Sequence, residues 1–141
     1  MKKITLIALS FGLMLSSFAQ DKINISFTAV EQATVQLGVK WDYQYKPMRS
    51  PIKVTFDGST LNMVFPSGKV YSTKKVISYT TTKETDKEYY ILKVLYDGFI
   101  NYITIIISEE AFAKCTEIKM PFFYKNGVVM SYTYFQSKPT S

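Results

Sequence analysis

The chain has 141 residues, with 17 lysines and arginines against 11 acids, no histidine and one cysteine. Without histidine there is no Ser-His-Asp or Cys-His arrangement and the commonest zinc ligand is missing; one cysteine excludes an internal disulfide. The net charge of +6 falls to +4 once Lys2 and Lys3 are set aside, and Arg49 is the sole arginine, so the concentrated basic stripe of a nucleic-acid binder is absent.

Lys2 and Lys3 precede an almost wholly apolar run from Ile4 to Leu15, and Ser16-Ser17-Phe18-Ala19-Gln20 then brings small and polar residues. That is the three-part layout of a secretory signal peptide. The apolar run is well short of the roughly 20 residues that span a bilayer as a helix. The expectation is a signal peptide over 1–20, cleaved after Ala19 or Gln20, and export to the periplasm or beyond. No stable membrane span is left after cleavage, and 21–141 forms a single all-β domain. Cys115 reads as a small buried hydrophobe.

Period-two alternation recurs through the rest of the chain, the pattern of half-buried strands. Ile23, Ile25, Phe27 and Ala29 share one face. Val35, Leu37, Val39, Trp41, Tyr43 and Tyr45 form a second odd-numbered run, with Gly38 as a candidate bulge. Pro47 to Pro51 reads as a break, because prolines are excluded from strand interiors. Ile52-Val54-Phe56 and Leu61-Met63-Phe65 flank Asp57-Gly58-Ser59-Thr60. A two-residue turn at Gly58-Ser59 pairs Phe56 with Leu61 and Val54 with Met63, which keeps six apolar side chains on one face.

Pro66-Ser67-Gly68 turns into a strand from Lys69 to about Thr82, followed by the charged loop 83–87. Glu88 to Tyr96 and Phe99 to Ile107 flank Asp97-Gly98 and are apolar on both faces, which predicts burial on both sides. Ser108 to Lys114 is the one helical candidate, a short helix near 109–114 with Ser108 as cap and Glu109 and Glu110 in its first turn. The last hairpin joins Ile118 to Tyr124 with Val128 to Tyr134. A three-residue loop at Lys125-Asn126-Gly127 pairs Phe122 with Met130 and Ile118 with Tyr134.

Eight or nine strands joined by local turns make an antiparallel meander, closing into an up-and-down barrel or folding into a two-layer sandwich. The layout resembles the small eight-stranded barrels of the lipocalin-like group at the level of architecture. Gly38-Val39-Lys40-Trp41 has one residue more than the Gly-x-Trp motif of that group, so nothing is carried over to individual residues.

A carboxylate pair suffices for glycoside hydrolysis. Here, however, Asp57 and Asp97 belong to turns, Glu109 and Glu110 to a helix start, and Glu84 and Glu88 to the flanks of a loop. The expectation is no enzymatic activity, no cofactor and no metal. The distinctive resource is aromatic: 11 Tyr, 10 Phe and Trp41. Trp41, Tyr43 and Tyr45 share one strand face, and Tyr132 and Tyr134 another. Tyrosines with an apolar body and a polar tip suit a ligand cavity or an interface. These five are the candidate ligand-binding residues of a non-enzymatic binding protein for a small apolar ligand. The alternative is a protein- or glycan-interaction module of the inhibitor or immunity type, using an exposed sheet face. A small outer-membrane barrel is a weaker third reading, because the strands from Ile52 to Phe65 fall short of the roughly 9–11 residues needed.

Overall fold

The computed structural model describes residues 23–37, 44–96, 98–110, 113–123 and 128–137. The expected signal peptide, Trp41, Tyr43 and the Lys125-Asn126-Gly127 loop lie outside them. Eight antiparallel strands follow in chain order: β1 (Ile25–Gln36), β2 (Lys46–Phe56), β3 (Thr60–Val64), β4 (Val70–Lys83), β5 (Lys87–Tyr96), β6 (Phe99–Glu110), β7 (Ala113–Phe123) and β8 (Val129–Gln136). Each pairs with the next, and β8 pairs with β1, closing an up-and-down barrel. Closure removes the unpaired edges that an open meander would expose.

Because the strands alternate in direction, the β1–β2, β3–β4, β5–β6 and β7–β8 connections share one end, here the upper end. The interior is apolar, as the alternation requires. Phe56, Ile52, Leu61, Met63, Leu92, Ile105 and Ile118 are all at most 1% exposed and belong to one cluster. Full burial of such a side chain stabilises the fold by roughly 1.5–3 kcal/mol. Phe56 also meets Tyr79 edge to face, with ring centroids 5.4 Å apart.

The first hairpin has the register its turn implies: Phe56 faces Leu61 and Val54 faces Met63. Gly58 has φ +97°, and Asp57 Oδ1 accepts from the backbone of Ser59 at 2.9 Å and of Thr60 at 2.7 Å.

The structure corrects four sequence expectations. The described residues of the span 109–114 are strand rather than helix. Glu109 faces Lys114 and Glu110 faces Ala113 at the end of the β6–β7 ladder, and Glu109 N–H donates to Asp86 C=O at 2.9 Å. A one- or two-turn helix gains too few hydrogen bonds to offset its nucleation, whereas the extended chain has its backbone groups paired. Pro47 and Pro51 lie within β2 rather than in a break. Their neighbourhood makes this tolerable: β3 pairs only with Lys53–Phe56, and the β1 register jumps from Ile52 to Pro47, so this stretch needs few backbone donors.

The last hairpin is displaced by one residue. Ile118 faces Phe135, Met120 faces Thr133 and Phe122 faces Ser131, with Met130 left in a bulge before Phe123 meets Val129. Finally, the outer face of β5 and β6 is not covered by any described element. Leu95, Ile100 and Tyr102 are 55%, 54% and 56% exposed, with Ile77 of β4 alongside at 54%.

Candidate functional site

Cross-strand partners share a face, so the register shows what the lumen receives. β1 turns over along its length. Ala29 faces Ile52 in the core, but Gln32 faces Phe135 on the same inner side, with the register shift falling between them. Beyond that point Ala33 and Val35 look outward.

This inversion decides the fate of the tyrosines singled out from sequence. Ala33 faces Tyr134 and Val35 faces Tyr132. Together with Tyr45 they form a second apolar cluster, separate from the core, on the outer wall. Lys119 of β7 places its ammonium 4.3 Å from the Tyr132 ring centroid and 5.8 Å from that of Tyr134, within cation–π range. The Tyr45 hydroxyl donates to the Glu117 carboxylate. Burial pushes the Glu117 carboxyl above its ordinary value, with Lys119 pulling the other way. Tyr45, Tyr132 and Tyr134 are thus brought together as a polar-tipped aromatic group, but none of them borders the lumen.

Among the described residues the lumen is packed below and leaves space above. At its upper end lies a cavity of about 410 Å³, within the size range of small-molecule sites. Val94, Ile103, Met120 and Phe135 line its apolar wall. Tyr71 and Phe122 also line it and are 48% and 60% exposed, which places them at the rim. Tyr71 spans the space: its ring lies 5.8 Å from Phe65 and 5.8 Å from Phe135, edge-on to both. The polar lining comes from Ser72, Thr73, Lys74 and Thr133.

Position in the register explains Lys74. It faces Leu61, a core residue 1% exposed, and so points inward, whereas its neighbour Lys75 faces Thr60 and is exposed. As a sequence the pair reads as two solvated lysines, and only the β3–β4 register separates them. The one signal available beforehand was the strict parity Leu61, Met63 against Lys74, Ser72.

Cys115 is half-buried on the outer side. Its thiol donates to Ser137 C=O at 3.2 Å, and burial pushes it above its ordinary value. That favours the unreactive thiol over the thiolate. Comparison with protein-family models, with curated proteins and with solved structures finds no match to this chain.

Proposed function

We propose that this is an exported, non-enzymatic binding protein that holds a small apolar ligand in the upper lumen of its barrel. The observation that carries the reading is the cavity itself. Space at one end of an otherwise packed lumen, lined by four apolar side chains and a few polar groups, is the pattern of a ligand site rather than of a solid core. The signal-peptide layout of residues 1–20 supports export. N-phenyl-1-naphthylamine, a neutral apolar fluorophore, tests the binding. The expected result is saturable, one-site fluorescence enhancement that Thr133→Phe reduces at least tenfold without lowering the melting temperature, because the new ring fills existing space. Non-saturable enhancement, or enhancement indifferent to Thr133→Phe, overturns it.

The alternative interaction module has one observation in its favour, the exposed outer row of Ile77, Leu95, Ile100 and Tyr102. A protein or glycan partner would find exposed apolar side chains there, with Lys93 opposite Tyr102 among them. Two features weigh against a barrel in lipid. β3 has only five residues. Lys53, Asn62, Lys75 and Lys93 alternate outward from core residues on four strands, where a lipid face would charge up to roughly 2–4 kcal/mol for each lysine.

A further inference from the structure

We propose that the ligand is an amphipathic anion, an acyl chain with a carboxylate head, and that Lys74 receives the head. The inference rests on the cavity being the ligand site. Among the described residues lining it, Lys74 is the only charged one. Its strand neighbour Ser72 shares the inner face two residues away, and Thr133 approaches from β8. The two hydroxyls are donors as well as acceptors, and the ammonium is a donor only, so the group suits an acceptor-only, negatively charged head. The apolar wall of Val94, Ile103, Met120 and Phe135 offers a tail side chains of carbon and sulfur only. A neutral alcohol head can also accept a hydrogen bond from Lys74 but brings no opposite charge to it, and a cationic head brings a like charge.

The test is calorimetric titration of the purified, delipidated protein with decanoate, decanol and decyltrimethylammonium, which share one tail. Decanoate is expected to bind about tenfold or more tightly than decanol, the range of a charge-assisted hydrogen bond, and decyltrimethylammonium more weakly than both. Lys74→Met should bring decanoate to within twofold of decanol, both measured on that variant. Lys74→Arg should keep the preference, and Lys75→Met should alter neither. Equal binding of decanoate and decanol by the parent protein, or a preference that survives Lys74→Met, overturns the anionic head while the cavity reading stands. If no decyl compound binds and the neutral fluorophore also fails, the cavity reading falls and takes this inference with it.

Discussion

Tyr71 of β4 and Phe135 of β8 meet edge to face across the lumen, their ring centroids 5.8 Å apart. Neither strand is a neighbour of the other in the sheet, so the contact bridges the barrel and marks the boundary between packed core and open cavity. The two rings differ in burial, Phe135 being 2% exposed and Tyr71 48%. Phe135→Ala should therefore cost about 3–5 kcal/mol. Tyr71→Ala loses mainly its two ring contacts, to Phe65 and Phe135, and should cost about 1–3 kcal/mol. Urea denaturation of the two variants measures the difference. Tyr71→Ala should also hasten fluorophore release, since it removes a rim side chain and leaves the apolar wall in place.

The outer wall carries a second long-range tie. Tyr45, just before β2, donates to Glu117 of β7. A hydrogen bond to a charged group is worth roughly 1.5–3 kcal/mol when burial protects it. Both residues are half-buried, so Tyr45→Phe should destabilise the protein by about 1–2 kcal/mol. In a double-mutant cycle with Glu117→Ala the two losses should be non-additive. Additive losses would show that the tie contributes nothing measurable in solution.

Glu117 also gives the barrel a pH dependence of definite sign. Burial raises its carboxyl above the ordinary value. The folded state then holds a proton that the unfolded state has released, so stability falls as pH rises from the unfolded value toward the folded one. Glu117→Gln keeps an oxygen acceptor for Tyr45 and removes the buried charge. Its melting temperature should match the parent near pH 4 and exceed it increasingly toward pH 7. A gap that shrinks over that range would mean that Lys119, not burial, governs the carboxyl.

How much of this was legible in the sequence varies from element to element, for physical reasons. The first hairpin could be read to the residue because turn and pattern agree independently: Gly58 supplies the positive φ, and its register collects six apolar side chains. The last hairpin offers no such agreement. Val128, Val129 and Met130 are apolar in succession, so a one-residue slip costs nothing visible in pattern. The choice is made by closure, which seats Phe135 rather than Tyr134 opposite Ile118. Tyr45 and the Tyr132–Tyr134 pair stand out in the sequence as two separate aromatic faces, but their meeting and their side of the wall depend on β1 turning over between Ala29 and Gln32, and nothing in the local residue types announces that. The cavity draws its lining from β4 through β8 and exists only once those strands are wrapped around one another.

The Gly58 turn allows a separate test of backbone conformation. A Cβ there would meet only Tyr79 Cε1 at 4.0 Å, an ordinary contact, so space is not limiting. The cost of Gly58→Ala comes from φ +97° and should be about 1–2 kcal/mol, with the register of Phe56 and Leu61 unchanged by amide hydrogen exchange.

Asp57 beside it should make the same turn sensitive to acid. The backbone N–H groups of Ser59 and Thr60, with the Ser59 hydroxyl, hold its carboxyl below the ordinary value. A carboxyl depressed in the folded state adds stability above its unfolded pKa, about 4, and that contribution disappears as pH falls through the folded value. Asp57→Ala should therefore melt below the parent at pH 7, and the gap should narrow steadily on acidification below about pH 4. Thermal scans from pH 7 to pH 2 measure it. A gap that stays constant across the range would place the residue's contribution in turn geometry alone, independent of its charge.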